Sequence, residues 1–183
     1  MPPVNILIKP ASSACNMRCR YCFYQDVAAN REQAFEGMLS LDAMERTIRA
    51  GMEYAEGICS FAFQGGEPTL AGLDFFRSVV ELQKKYARPG VKIRNALQTN
   101  GFSMDEAWAK FLAEYRFLVG LSLDGPADLH NRNRFDTSGR GTFNRVIRAA
   151  RFFEKHGVEY NILCVVTGQN ARSIEKIYHF YRK

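Results

Sequence analysis

The sequence has no long apolar run and only three histidines. The lack of a long apolar run argues against a membrane span and a signal peptide. The run near its start, 4–8, is interrupted by Asn5 and is far too short for a membrane span or a signal peptide. No other sorting signal, internal repeat or low-complexity segment is visible. We therefore expect a globular protein of the reducing cytoplasm.

Charge of one sign is also not concentrated anywhere in the chain. The 25 Lys and Arg residues are scattered among 19 Asp and Glu residues, and no run of five like charges occurs. The formal charge of +6 therefore does not indicate nucleic-acid binding. With 46% hydrophobic and 24% charged residues, the composition is that of an ordinary folded domain. We expect one domain, 1–183, that binds neither nucleic acid nor membrane.

The cysteines are few, but three of them are clustered. Five cysteines, an odd number, in a chain without a secretion signal argue against a disulfide framework. Cys15, Cys19 and Cys22 stand in one segment with the spacing C-x3-C-x2-C. Three such thiolates can bind three irons of one iron–sulfur cube, which usually takes four cysteines. The fourth iron would then have no protein ligand and could bind a small molecule. A catalytic zinc site likewise keeps one coordination position open.

Two non-enzymatic alternatives remain open for this segment. A structural zinc site needs a fourth ligand, and His130, His156 and His179 are remote in sequence. Cys59 or Cys164 could still fold back to supply that ligand. A ferredoxin-type electron carrier would need a fourth cysteine after Cys22, and none follows in that spacing. Otherwise we expect Cys59 and Cys164 to be buried thiols, with Cys164 inside the fifth strand.

Short apolar runs alternate with helical stretches along the chain. The pattern predicts strands over 4–9, 58–64, 91–98, 117–123 and 158–166, and helices over 41–55, 73–86, 104–114, 142–156 and 171–182. We expect Gly157 to end the fourth of these helices. The alternation predicts an α/β fold with a parallel sheet and right-handed crossovers.

Polar motifs follow the ends of the first four predicted strands. The cysteine segment follows the first, and the other motifs are Gln-Gly-Gly-Glu-Pro at 64–68, Gln-Thr-Asn-Gly at 98–101 and Ser-Leu-Asp-Gly-Pro at 122–126. Each motif alone could be a turn. The carboxyl ends of barrel strands share one rim, where active sites are built. Four motifs in successive units therefore predict a single site.

With Tyr21 just before the third cysteine, the segment resembles the C-x3-C-x-aromatic-C signature of the radical S-adenosylmethionine (SAM) enzymes. The resemblance implies a partial (β/α) TIM-type barrel and a 4Fe-4S cluster on Cys15, Cys19 and Cys22, with SAM on the fourth iron. In that family an electron from the cluster cleaves SAM to a 5′-deoxyadenosyl radical, which abstracts a hydrogen atom.

The same resemblance implies the contacts with SAM. Tyr21 would lie beside the adenine, Ser122 would meet the ribose or methionine part, and Arg134 would pair with the carboxylate, which suits its planar guanidinium. The motif after the second strand would contact the methionine amino group through Gly65, Gly66 and Glu67.

Longer runs resemble the anaerobic sulfatase-maturating enzymes, at 7–16, 19–24, 60–73, 97–101, 117–126 and 160–167. That family oxidises a Cys or Ser of a sulfatase to Cα-formylglycine. The resemblance implies a sulfatase polypeptide as substrate and an electron donor such as ferredoxin or flavodoxin. Tyr24 and Gln64 are our candidates for the side that faces the substrate.

The chain departs from that family in length. Five strands are predicted where the partial barrel has six, and the cysteine-rich C-terminal domain with two auxiliary clusters has no counterpart here. We therefore expect a C-terminally truncated core whose catalytic base lies beyond residue 183. Such a core would hold the first cluster and SAM without completing the oxidation alone. Another radical SAM maturase of peptides or proteins remains an alternative.

Overall fold

The computed structural model describes residues 2–182 of the chain. At its centre is a parallel sheet of five strands: β1 Val4–Ile8, β2 Ile58–Phe63, β3 Lys92–Thr99, β4 Leu118–Ser122 and β5 Tyr160–Leu163. Each strand pairs with the next one in the chain, so the spatial order is β1-β2-β3-β4-β5. This order is the winding of a β/α barrel and differs from that of doubly wound sheets. The prediction of an α/β partial barrel is confirmed.

Helices lie in the connections between the strands, and one further helix follows β5. They are α1 Phe23–Ala29, α2 Leu41–Tyr54, α3 Leu73–Lys85, α4 Glu106–Glu114, α5 Ala127–Asn133, α6 Phe143–His156 and α7 Ile174–Tyr181, with 3-10 turns at Pro68–Ala71 and Ala171–Ser173. The short helices α1 and α5 were not predicted, because each lies in a connection that reads as a loop. None of the helices in residues 2–182 combines the length and apolarity that a membrane span requires.

The ends of the longer helices follow local sequence signals. The Ser40 hydroxyl accepts a hydrogen bond from the Ala43 amide at 3.2 Å, and the Asp105 carboxylate accepts one from the Trp108 amide at 2.9 Å. Such N-caps each contribute about 1 kcal/mol. Gly157 ends α6 with a φ of 68°, as predicted from the sequence.

Alternate residues of the strands pack against the helices. In β2 the buried residues are Cys59, Phe61 and Phe63, so the prediction of a buried Cys59 is confirmed. Phe63 meets Phe76 of α3 edge-on at 5.0 Å between ring centroids, and Phe76 meets Trp108 of α4 at 5.3 Å. Full burial of one such ring contributes roughly 1.5–3 kcal/mol. This aromatic core joins β2, α3 and α4 and supports the sheet.

The opposite face of the sheet is open in the part of the chain described. It carries Leu7, Leu118 and Leu163, whose side chains remain exposed. The register places Gln98 and Ser122 on the same face. This face corresponds to the interior of a barrel, and the active sites of such barrels lie at the C-terminal ends of the strands.

The fifth strand is shorter than predicted. The expectation was 158–166, but β5 ends at Leu163. The Val165 amide donates to the Asp124 carboxylate at 3.0 Å rather than to a neighbouring strand. The prediction that Cys164 lies inside this strand is therefore wrong, and its thiol is only partly buried.

Candidate active site

The cysteine loop follows β1 and is held along its middle by a strand-like pairing. The Arg18 amide donates to the Phe135 carbonyl at 2.8 Å, and the Arg20 amide donates to the Asn133 carbonyl at 2.9 Å. Cys19 lies between these two bonds. The segment that follows α5 therefore fixes the backbone of a loop that is distant in sequence.

N–H groups are directed at the sulfur atoms of two cysteines. Cys15 Sγ accepts from the Met17 amide at 3.4 Å and lies 3.6 Å from Asn100 Nδ2. Cys19 Sγ lies 4.0 Å from Arg134 Nη1. Donors of this kind stabilise a thiolate, which is the form in which a cysteine binds a metal.

The chemistry of the three thiols fits an iron–sulfur cluster. All three are free and of intermediate exposure. Burial raises the pKa of Cys15 to about 11 and also raises that of Cys19, where Arg134 opposes the rise. Among residues 2–182, no three Cys, His, Asp or Glu side chains are grouped so that they could hold one metal ion. In a cube each thiolate binds a different iron, so the three sulfurs need not converge on one point.

The glycine pair after β2 lets the cysteine loop approach the sheet. A Cβ on Gly66 would stand 2.0 Å from the Ala14 carbonyl oxygen. Gly65 has a φ of 127°, and a Cβ there would meet the Ser12 carbonyl oxygen at 3.1 Å. The Gly66 amide also donates to the Ser12 carbonyl at 3.0 Å, and the Glu67 amide to the Ala14 carbonyl at 2.7 Å. These two glycines therefore allow the backbone of the cysteine loop to lie close to the end of β2.

The Glu67 carboxylate is buried and joins the glycine motif to the end of β3. Its Oε1 accepts from the Thr69 amide at 3.1 Å, from the Thr69 hydroxyl at 2.7 Å and from the Thr99 hydroxyl at 2.8 Å. Its Oε2 accepts from the Asn100 amide at 2.8 Å. Burial raises the pKa of Glu67, and these hydrogen bonds oppose the rise. The carboxylate therefore ties together two of the strand-end motifs.

Arg134 is buried in a network with Asp124 and Tyr21. Its Nε donates to Asp124 Oδ2 at 2.9 Å, and its Nη2 to Asp124 Oδ1 at 3.3 Å. The Tyr21 hydroxyl also donates to Asp124 Oδ2, and the guanidinium carbon lies 5.3 Å from the centroid of the Tyr21 ring. The structure thus brings two predicted SAM contacts together around a carboxylate.

The remaining predicted residues, Tyr24, Gln64 and Ser122, take part in two polar pairs. Gln64 Nε2 donates to the Tyr24 hydroxyl at 3.2 Å. Gln98 Nε2 donates to the Ser122 hydroxyl at 3.2 Å. A Cβ on Gly120 would stand 2.2 Å from Gln98 Oε1, so this glycine makes room for the Gln98 side chain.

Two side chains that contact the predicted site residues were missed by the sequence analysis, namely Asn100 and Asp124. Both stand in strand-end motifs that the sequence does reveal, Asn-Gly and Asp-Gly. The motif predicts only that the residue lies on the rim. Asn100 contacts Cys15, and Asp124 binds Arg134. These contacts depend on which loops meet at the rim.

The family model of the radical SAM superfamily matches this sequence over residues 10–181. The chain belongs to the radical SAM superfamily. The cofactors predicted from the cysteine loop, a 4Fe-4S cluster and SAM, are those of this superfamily.

Curated relatives align with all or nearly all of the chain. A cysteine-type anaerobic sulfatase-maturating enzyme of Clostridium perfringens is 52% identical over 183 residues, which are 100% of this chain and 50% of the relative. A serine-type anaerobic sulfatase-maturating enzyme of Klebsiella aerogenes is 39% identical over 176 residues, 96% of this chain and 43% of the relative. The chain therefore spans about half the length of these relatives.

Solved radical SAM structures share the fold. Native anSMEcpe with bound AdoMet, which is SAM, and Cp18Cys peptide matches with a TM-score of 0.92 at 51% identity. The match covers 99% of this chain and 48% of that chain. The partial barrel described above is thus the radical SAM fold.

Proposed function

We propose that this radical SAM domain acts in sulfatase maturation, in which a cysteine of a sulfatase is oxidised to Cα-formylglycine. The observation that carries the proposal is the 52% identity with a cysteine-type sulfatase-maturating enzyme over all 183 residues. The serine-type relative is 39% identical, which favours cysteine as the target residue.

In this proposal Cys15, Cys19 and Cys22 bind three irons of a 4Fe-4S cluster. When bound, the cluster supplies the electron for reductive cleavage of SAM to a 5′-deoxyadenosyl radical. The part played by the chain is to hold the thiolates on one loop, and the pairing of Arg18 with Phe135 supports that role.

The SAM contacts remain proposals with structural support. The glycine motif, with Gly65, Gly66 and Glu67, lies directly against the cysteine loop, as a contact with the methionine amino group requires. We assign Tyr21 to the adenine and Ser122 to the ribose or methionine part. Of the five N–H groups of Arg134, three are directed at Asp124 and Cys19, which leaves two for the carboxylate.

The substrate side is assigned to Tyr24 and Gln64, which are hydrogen bonded to each other next to the cysteine loop. The electron donor is a small redox protein such as ferredoxin or flavodoxin. A reducing cytoplasm suits an oxygen-sensitive cluster, and we assign the protein to that compartment.

Anaerobic reconstitution with iron and sulfide, followed by EPR of the reduced chain, tests the cofactor assignment. We expect a cubane signal that shifts when SAM is added, because the fourth iron has no cysteine ligand. Replacing Cys15, Cys19 or Cys22 by Ala should abolish it, whereas the control C164A, outside the loop, should keep it. A chain that binds zinc, or a cluster indifferent to SAM, would refute the assignment.

The formation of 5′-deoxyadenosine tests the substrate assignment in the same reconstituted sample. A sulfatase-derived peptide with its target cysteine should stimulate SAM cleavage several-fold more than the same peptide with serine, since the chain resembles cysteine-type enzymes more closely. Stimulation by an unrelated cysteine peptide, and not by the sulfatase peptide, would instead favour another radical SAM maturase.

A further inference from the structure

The buried pair of Asp124 and Arg134 lies against a cluster ligand, and the backbone explains why. Met17 bridges to Asp136 in antiparallel register, and the amide bonds of Arg18 and Arg20 extend this pairing along the loop. In that register Cys19 stands opposite Arg134. The two residues therefore face each other because of backbone pairing as well as side-chain attraction.

The orientation of the guanidinium is then fixed by Asp124. The carboxylate takes two N–H groups of Arg134 in a fork, at 2.9 and 3.3 Å, which directs Nη1 toward Cys19 Sγ. Asp124 itself is fully buried and accepts from the Val165 amide at 3.0 Å. The side chain of Arg134 is only 7% exposed, so solvent screens its charge poorly.

We propose that Arg134, oriented by Asp124, is a positioning residue that holds the Cys19 thiolate and raises the reduction potential of the cluster. A cation with an N–H group directed at a ligand sulfur stabilises the more electron-rich, reduced cluster. Hydrogen bonds to cluster sulfurs and local charge are established determinants of iron–sulfur potentials. This inference rests on the proposed cluster and assigns Arg134 a role that is independent of bound SAM.

The test is an EPR-monitored redox titration of the reconstituted chain without SAM. In R134Q the reduction equilibrium should shift toward the oxidised cluster by roughly tenfold, which is about 59 mV for a one-electron couple. The matched control is R132Q, which removes the same charge at an exposed position two residues away and should leave the potential unchanged.

Two further variants address the buried Asp124, which R134Q leaves unpaired. R134K keeps the charge but cannot hold the fork and reach Cys19 together, so it should shift the equilibrium in the same direction by a smaller factor. The double variant D124N/R134Q removes both charges and the unpaired carboxylate while keeping polar side chains at both sites. A folded variant chain that loads less iron than R132Q would also support the positioning role.

Variant clusters with the wild-type potential would overturn the inference. That result is distinct from failure of the proposed function, in which the wild-type chain itself would form no cluster that responds to SAM.

Discussion

Gly66 has no side chain, and the place where its Cβ would stand is occupied by backbone. The Ala14 carbonyl oxygen and carbon lie 2.0 and 2.6 Å from that position, and the carbonyl carbon of Ser13 lies 2.7 Å away. None of these atoms can rotate aside as the end of a side chain can. The position of the cysteine loop on the sheet therefore depends on one absent methyl group.

Replacing Gly66 by Ala should displace the loop that carries Cys15. We expect a loss of roughly 2–3 kcal/mol in the free energy of unfolding, as for overpacked sites, measured by urea denaturation of the apo chain. The iron bound after reconstitution should fall as well. The control is G168A, because a Cβ on Gly168 would meet nothing within 4 Å. Equal stability and iron content in the two variants would contradict this account of the glycine motif.

At the scale of elements, α5 is joined to β4 and to α6 through one buried imidazole. His130 Nδ1 accepts from the Asp124 amide at 3.3 Å, and His130 Nε2 lies 3.0 Å from the Thr142 hydroxyl. That hydroxyl donates to the Arg134 carbonyl at 3.2 Å, so it accepts from Nε2. The neutral ring with its proton on Nε2 satisfies all of these bonds, and a second proton on Nδ1 would break one.

The stability of the chain should therefore fall on acidification. Burial, supported by the charge of Arg134 and opposed by Asp124, lowers the pKa of His130 from 6.5 to about 4. The unfolded chain binds the proton more readily, so the contribution is complete above pH 6.5 and is lost progressively down to about pH 4. The expected loss in unfolding free energy from this group is about 2 kcal/mol between pH 7 and pH 5.

Urea denaturation of the apo chain at several pH values measures this contribution. H130Q keeps an acceptor and a donor but does not titrate, so its stability should depend less on pH. H179Q, at an exposed position, should keep the wild-type dependence. If H130Q and the wild type lost stability equally on acidification, the imidazole would not be the cause.

At the scale of the whole molecule, the sequential parallel sheet gathers the site from separate parts of the chain. The cysteine loop follows β1, the glycine motif follows β2, Asn100 follows β3, and Asp124 follows β4. Parallel strands in sequential order place all of these carboxyl ends on one rim. The face with Leu7 and Leu163, left open by residues 2–182, lies beneath this rim.

Much of this arrangement could be predicted from the sequence. The alternation of apolar runs and helical stretches predicted the parallel sheet and the helices α2, α3, α4, α6 and α7, whereas the barrel was implied only by the family resemblance. The short helices α1 and α5 were not predicted, because a segment of seven residues carries too little periodicity to distinguish a helix from a loop. The end of β5 was also misplaced, since the Val165 amide binds a side chain of another connection.

The sequence by itself determined the spacing of the three cysteines and the rim that their loop shares with the other motifs. The spacing of Cys15, Cys19 and Cys22 is a local property of the chain, and so is the position of a motif after a strand. Only the tertiary structure decided what each rim residue contacts. Glu67 binds the end of β3, and Arg134 binds Asp124 and faces Cys19. Such contacts depend on distances between segments far apart in sequence, which the packing of the sheet and its loops sets.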